Sequence, residues 1–368
     1  MSGGRLKLRR GVVVDEEPLT VEVDGERRPA WADVGLLGEM REGDEVVVNV
    51  AALDLGLGSG GFDLVHVNLT RGLEGGRSAE GEAGGGEPGG AVPHVMKLNY
   101  TSIQHPVDPA ERPLPGEGQG NGAAEEAWRV TRGMDEKPAT PVLVLPLHGH
   151  LAPAAWAAAQ GQPGMKLGYV QTGGGALPGG LSRDVAELRE RGLLCGHVTA
   201  APAYGGEEEA ISVAGGLDAA AARLGWDAVL AGPGPGIIGS ETRLGHGGIA
   251  ALDTAHAALA LGMPTLLSPR LSAADPRERH RGVSHHTLTV MSLLLAGVQV
   301  PVPAGEAVPI AILAGACGWR HRLREEPADL EGYAASGLPA RTMGRGIEED
   351  PLFFAAPLAA GAALRRKG

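Results

Sequence analysis

Histidine is the residue type whose spacing most clearly suggests chemistry in this sequence. The histidines of interest are His148 and His150 in LPLHGHL, and His280, His285 and His286 in DPRERHRGVSHHT. Side chains two apart in an extended segment point to the same side, so His148 and His150 are predicted to share one ion, with Asp275 or a later histidine completing its shell. Such ligands suit Zn²⁺ or another divalent metal that activates water. The alternative is that neutral histidines hydrogen-bond the loops to each other.

Two glycine-rich loops are candidates for holding an anion. The first, TGGGALPGG, precedes a predicted helix near Ser182, where bare N–H groups and the helix dipole favour negative charge. Its candidate ligand residues are Thr172, Gly173, Gly174 and Gly175. The second contains Gly234 and Gly236 in GPGIIG, which matches GxGxxG. With 60 Gly in 368 residues, this spacing arises by chance about once or twice per chain, so it gives no evidence for a dinucleotide site.

Arginines concentrate in the same predicted loops of an otherwise acidic chain. They are Arg243, Arg270, Arg277, Arg279 and Arg281. The forked guanidinium donors match the geometry of a phosphate or a carboxylate, so Arg243, Arg270 and Arg277 are candidate ligand-binding residues. The alternative is an exposed network in which the arginines pair with Asp275, Glu278 and Glu241.

Three functional hypotheses follow from these residues. The leading one is an enzyme or binding protein for a small anionic metabolite, phosphorylated or carboxylated. The second is a metal-dependent hydrolase, with His148, His150 and Asp275 as metal ligands and His280 and His285 as further catalytic candidates; its cofactor would be a divalent metal. The third is a non-catalytic ligand sensor or interaction protein.

From Pro141 onward, strands and helices alternate, which predicts a parallel sheet covered by helices. The predicted strands include PVLVLPL, KLGYVQT, HVTAAPA, DAVLAGP, PTLLSP, VQVPVP and VPIAILA. Their short, nearly continuous apolar runs are typical of strands with both faces buried. Glu207–Glu209 are predicted to open a helix. The expected fold is a doubly wound, mostly parallel, Rossmann-like α/β domain, with its ligand site at the carboxyl ends of the strands.

The first hundred residues have a different pattern. Short alternating runs with turn signals such as Asp24-Gly25 predict a small β-barrel or sandwich. We divide the chain into a β-rich module (1–104) with a flexible insert near 72–90, a linker (105–140), an α/β domain (141–318) and a C-terminal tail (319–368) of uncertain structure.

Composition limits the partners of this protein. The formal net charge is −12 and only 3% of residues are aromatic, which argues against nucleic acid. Cys195 and Cys317 are too few for a disulfide framework, no apolar run is long enough to cross a membrane, and the first residues lack the apolar stretch of a secretory signal. A cytoplasmic protein is expected. Small residues in Leu217–Leu224 are compatible with a homodimer.

Several segments together resemble a bacterial domain-of-unknown-function family, found mainly in Gram-positive lineages. They are GDEVVVNVAALDLGLGSGGFDLV, PLHGHLAP, YVQTGGGALPGGLS, GPGPGIIGSETRLGHGG and SPRLSAADPRERHRGVSHHT. The similarity is expected to cover both domains but to omit the insert, the linker and the tail after about Gly318. It implies a bacterial cytoplasmic protein and carries over no catalytic residue.

Overall fold

A computed structural model describes residues 6–57, 60–73, 95–112 and 140–364. The chain forms two compact units, Met1–Asp108 and Pro109–Gly368. Most of the predicted insert and linker lies outside the described residues. The linker prediction starts too early, because His105–Val107 is a strand of the first unit, and the N–H of Ala110 bonds the carbonyl of Glu209 in the second unit at 2.6 Å.

The first unit is a small barrel, as the sequence predicts. Its strands are β1 (Leu8–Glu16), β2 (Leu19–Val23), β3 (Glu26–Trp31), β4 (Glu45–Asn49) and β5 (Asp63–Asn68), with short helices α1 (Val34–Leu37) and α2 (Ala51–Leu55) and a separate ribbon of β6 (Val95–Lys97) and β7 (His105–Val107). The closed order is β1-β2-β3-β5-β4, in which only the β3–β5 pair is parallel. Alternating valines fill the interior, among them Val13, Val21, Val46 and Val48.

The second unit is built on an eight-stranded parallel sheet. Its strands are β8 (Val142–Val144), β9 (Leu167–Thr172), β10 (Gly196–Ala200), β11 (Glu208–Ala210), β12 (Ala228–Pro233), β13 (Thr265–Leu267), β16 (Gln299–Pro303) and β17 (Arg322–Glu326), in the order β11-β10-β9-β12-β8-β13-β16-β17. Two short hairpins are β14 (Leu271–Ser272) with β15 (Gly282–Val283), and β18 (Arg341–Thr342) with β19 (Arg345–Gly346). The Rossmann-like fold class predicted from the sequence is confirmed.

Helices cover the sheet. They are α3 (Leu151–Gly161), α4 (Arg183–Glu190), α5 (Val213–Ala222), α6 (Ala250–Ala260), α7 (His285–Leu293), α8 (Ala307–Cys317), α9 (Leu330–Ala335) and α10 (Pro351–Ala362). Every residue of β8, β9, β10 and β12 is buried, and two separate apolar clusters pack against the sheet. This double burial explains why those strands read as continuous apolar runs.

Two secondary-structure predictions are wrong. Glu208–Ala210 is the edge strand β11, and α5 begins later, capped by Ser212; the glutamates there pair with arginines, such as Glu208 with Arg223 at 2.6 Å. VPIAILA forms helix α8 and not a strand. Pro309 is tolerated because it lies in the first turn, where its missing N–H has no helical partner.

The C-terminal segment is an integral part of the α/β unit, which therefore continues past residue 318. Strand β17 extends the sheet beside β16, and α10 packs along α3. Helix α5, which holds most of the segment proposed for dimer contact, is itself packed inside, with Leu217 and Ala220 fully buried. The homodimer stays a prediction without support from that helix.

Within the described residues, none of the helices combines the length and apolar character needed to cross a bilayer.

The close packing of α10 on α3 gives a stability prediction. A Cβ at Gly361 would lie 2.1 Å from the carbonyl oxygen of Ala154, so Gly361→Ala must push the helices apart and should lower the free energy of unfolding by about 1–3 kcal/mol. Gly315→Ala in α8, where a Cβ meets nothing within 4 Å, should raise it by up to about 1 kcal/mol through helix propensity. Urea denaturation of both variants checks this; a Gly361→Ala variant as stable as Gly315→Ala would contradict it.

Candidate histidine–arginine site

The carboxyl ends of β8, β12 and β13 meet at one edge of the sheet, because β8 lies between the other two strands. The loop after β8 contains a 3-10 turn at His148–His150, and the loop after β12 runs to a 3-10 turn at Gly247–Ile249. The loop after β13 carries the β14–β15 hairpin and a 3-10 turn at Glu278–His280 before α7 begins. In open parallel sheets this edge is where ligands bind.

Four imidazoles from two of these loops and the start of α7 form what we call the histidine cluster: His246, His280, His285 and His286. The rings of His246 and His286 are stacked, with centroids 3.6 Å apart and planes within 5°. His285 lies edge-on to His286 at 4.4 Å, and His280 lies 4.8 Å from His286. The fold therefore brings four imidazole rings together at the carboxyl ends of β8, β12 and β13.

Local hydrogen bonds fix these rings. Ser284 caps α7, accepting a hydrogen bond from the N–H of His286 at 3.2 Å, and its hydroxyl also contacts Nδ1 of His280 at 2.7 Å. Nε2 of His246 lies 3.1 Å from the carbonyl oxygen of Arg243 and must donate to it, because a carbonyl only accepts. Nδ1 of His246 is then an acceptor, and it is buried with no partner among the described residues.

All four imidazoles of the cluster are held in the neutral form. Burial is the largest cause. It lowers the pKa of His246, His285 and His286, and it lowers the pKa of His280 to about 3. The positive charge of Arg270 lowers each pKa further. At neutral pH these rings therefore keep a lone pair that can bind a proton donor or a metal.

Asp275 is the centre of an ion-pair network beside the cluster. Its carboxylate is completely buried and accepts from Arg270 at 3.2 Å and from Arg277 at 2.9 Å, and it lies 3.6 Å from Arg345. Burial raises the pKa of Asp275, but the hydrogen bonds and charges of Arg277 and Arg270 outweigh it and hold the pKa well below its usual range. Asp275 is therefore an anion occupied by arginines.

The C-terminal segment completes this network. Arg345, on β19, donates to the buried carboxylate of Asp350 at 3.2 Å. Asp350 in turn accepts from the hydroxyl of Ser272 at 2.5 Å and from the N–H of Ala273 at 2.8 Å. The sequence analysis missed both residues, since it treated this region as a tail and no motif marks them.

His148 and His150 do not pair as predicted. They lie in a 3-10 turn, where residues two apart point in different directions, and not in an extended strand. His148 lies between the carbonyl of Pro233, at 3.2 Å, and the hydroxyl of Ser182, at 2.8 Å. His150 contacts the hydroxyl of Ser268 at 2.9 Å. Among the described residues, the group with metal-ligand spacing is instead His246, His285 and His286.

The predicted glycine loops pack against each other. A Cβ at Gly173 would lie 2.9 Å from the Pro202 ring, and a Cβ at Gly174 would lie 2.3 Å from the carbonyl oxygen of Gly247. A Cβ at Gly175 would lie 2.1 Å from the carbonyl oxygen of Gly234, and a Cβ at Gly234 would lie 2.3 Å from that of Ala176. Thr172 is buried and its hydroxyl donates to the carbonyl of Gly173 at 3.2 Å, while Gly236 has a φ of +74°. Carbonyl oxygens repel anions, so we leave this loop pair out of the ligand site.

Of the predicted site residues, the structure therefore brings together Asp275, His280, His285, Arg270 and Arg277. Arg243 contributes its carbonyl to His246. Sequence reasoning missed His246 and did not select His286 as a ligand. His246 follows β12, which neighbours β8, so placing the histidines by strand order would have found it.

Two clefts open at the opposite, amino-terminal edge of the sheet, with volumes of about 210 and 310 Å³. The larger is lined by Cys195, and burial raises the pKa of that thiol, which makes it a weak nucleophile. The histidine cluster and the ion pairs of Asp275 lie at the carboxyl edge and not at these clefts.

Comparison with protein families matches residues 30–361 to "Protein of unknown function (DUF3866)". The chain belongs to this family. The DUF3866 match runs to residue 361, so the expectation that the resemblance ends near Gly318 is wrong; it includes Arg345 and Asp350 as well as the histidine cluster. No curated protein and no solved structure matches the chain. The expected bacterial, Gram-positive distribution stays a prediction.

A pH prediction follows from His197, which lies outside the cluster. It stacks on Tyr169 and its Nε2 contacts Oε1 of Gln171 at 3.2 Å, and burial lowers its pKa to about 4. Below about pH 6.5 the unfolded chain binds a proton that the folded chain excludes, so stability should fall between pH 6.5 and 4, by about 3 kcal/mol from this group. The slope of unfolding free energy against pH should be shallower in His197→Gln; an unchanged slope would contradict this.

Proposed function

We propose that this protein binds a small anionic ligand, phosphorylated or carboxylated, at Arg270 beside the histidine cluster. The observation that carries the proposal is the buried guanidinium of Arg270, whose Nε has no hydrogen-bond partner among the described residues, in a network with more positive than negative groups. Among the described residues, the connected network contains three guanidinium groups, those of Arg270, Arg277 and Arg345, but two carboxylates, those of Asp275 and Asp350. Each arginine has a carboxylate partner, but the guanidinium groups outnumber the carboxylates by one.

Burial makes this excess costly. Both carboxylates are fully buried and Arg270 is 5% exposed, so water screens these three charges poorly, whereas the Arg277 side chain is 42% exposed and reaches solvent. The surrounding imidazoles are neutral, so they add no further positive charge. A bound carboxylate or phosphate would supply the missing negative charge.

Arg270 also has a donor to offer. Its Nη2 bonds Asp275 at 3.2 Å, and its Nη1 is 3.4 Å from Nδ1 of His286, which is long for a hydrogen bond. Its Nε is buried and has no hydrogen-bond partner among the described residues. An unmade bond of this kind costs about 1–3 kcal/mol, which a ligand oxygen would recover.

An enzyme and a ligand sensor would both use such a site, so the proposal concerns binding first. We also propose that the protein acts in the reducing cytoplasm, which is supported by its two cysteines, Cys195 and Cys317, both being free thiols.

Isothermal titration of the metal-free, full-length protein with inorganic phosphate and with citrate tests the proposal. The wild type should bind at least one of them saturably, and Arg270→Gln should weaken that binding by about tenfold or more, the loss of one charged hydrogen bond. Arg270→Lys keeps a charge for Asp275 but removes the forked donors, so it should also weaken binding.

Arg279→Gln is the matched control, because Arg279 lies in the same loop but pairs with Glu241, whose side chain is 78% exposed. Its affinity should equal that of the wild type. Equal affinities in the Arg270 variants and the control, or no saturable binding of either anion by the wild type, would rule out the proposed site.

A further inference from the structure

We propose that His246, His285 and His286 bind a divalent transition metal ion of the zinc type. One ring nitrogen from each lies within 4.8 Å of the others. Ligand nitrogens about 2.0–2.1 Å from a tetrahedral ion are about 3.4 Å apart, so the ring nitrogens must move by roughly 1 Å when they bind an ion.

The hydrogen bonds leave suitable lone pairs. His246 donates its Nε2 proton to the carbonyl of Arg243, which orients the ring and leaves Nδ1 as a buried acceptor without a described partner. This is the usual arrangement around a metal ligand, whose second nitrogen bonds a carbonyl or carboxylate. His285 is half-buried, and no hydrogen bond to the described residues involves its ring.

Two of the ring nitrogens lie close together beside Gly248. The point where a Cβ of residue 248 would lie is 3.2 Å from Nδ1 of His246, from Nδ1 of His286 and from the carbonyl oxygen of Pro146. Both Nδ1 atoms thus lie on the side of Gly248, where glycine places no side chain. Because the two ring planes are parallel, one ring must tilt out of the stack to direct its lone pair at a shared ion.

Three protein ligands are the number found in catalytic zinc sites, where the fourth position holds water or substrate. The cluster has no carboxylate ligand, since Asp275 is occupied by arginines. An anion held at Arg270, which contacts His286, would lie next to that fourth position. The metal proposal does not require the anion to bind.

Arg270 makes the two proposals separable. Its Nη1 approaches the same Nδ1 of His286 that faces the space beside Gly248, so the guanidinium competes with an ion for that lone pair and repels it. Removing its charge should strengthen metal binding, whereas it should weaken anion binding.

The test is zinc titration of the metal-free, full-length protein, with elemental mass spectrometry after dialysis and visible absorption of the cobalt(II) form. We expect one ion per chain in the wild type, at least tenfold weaker binding in His285→Gln and in Gly248→Ala, and several-fold tighter binding in Arg270→Gln. His148→Gln and His256→Gln, at histidines outside the cluster, should bind like the wild type.

The cobalt spectrum should show tetrahedral coordination that disappears in His285→Gln even if that variant keeps its fold. Absence of a stoichiometric ion in the wild type, or binding that survives both His285→Gln and Gly248→Ala, would overturn the proposal. Loss of the ion in His148→Gln would place it elsewhere and would also overturn it. Circular dichroism of each variant separates these outcomes from misfolding.

Discussion

The candidate site depends on the ion pairs that the buried carboxylate of Asp275 makes with arginines. It joins arginines from three places in the chain: Arg270 after β13, Arg277 before the 3-10 turn and Arg345 on β19. Without it, three like charges would be left close together, and removing one partner of a buried ion pair typically costs about 3–5 kcal/mol. Asp275 thus holds the loop that carries His280 and leads into α7.

Backbone contacts transmit this order to the histidines. The N–H of Arg270 bonds the hydroxyl of Thr287 at 2.8 Å, and the N–H of Ser284 bonds the carbonyl of Arg270 at 3.0 Å. Arg270 therefore also positions the first turn of α7, where His285 and His286 lie. The ion pairs and the imidazoles thus form one structural unit.

The parallel fold could be predicted, because buried parallel strands leave continuous apolar runs. The candidate histidines and arginines were expected in the loops after these strands, which is where they lie. The pairing of Asp275 with the loop arginines was one of the alternatives that the sequence left open, and the structure shows it. Arg345, 70 residues away in sequence, could not be named as a partner before the fold was known. His148 and His150 were misjudged because spacing alone does not distinguish a strand from a 3-10 turn. In VPIAILA, apolar content predicted neither the helix nor its exposure: Leu313 is fully buried, but Ile312 is 43% exposed.

The glycine loops show the same limit. Their composition suits an anion cradle and equally suits two backbones in close contact, and only the positions of Gly247 and Gly234 oxygens distinguish these. The glycines thus indicated that another group comes close to the backbone, but not whether that group is an anion or a second backbone segment.

The most direct test of the account is anomalous diffraction at the zinc edge from crystals of the full-length protein soaked with zinc and then with sulfate, which stands in for the ligand anion. The account predicts one strong peak about 2.0–2.1 Å from nitrogens of His246, His285 and His286, with a sulfate oxygen within hydrogen-bond distance of Arg270. A peak between His148 and His150, or neither ion at this edge of the sheet, would contradict it.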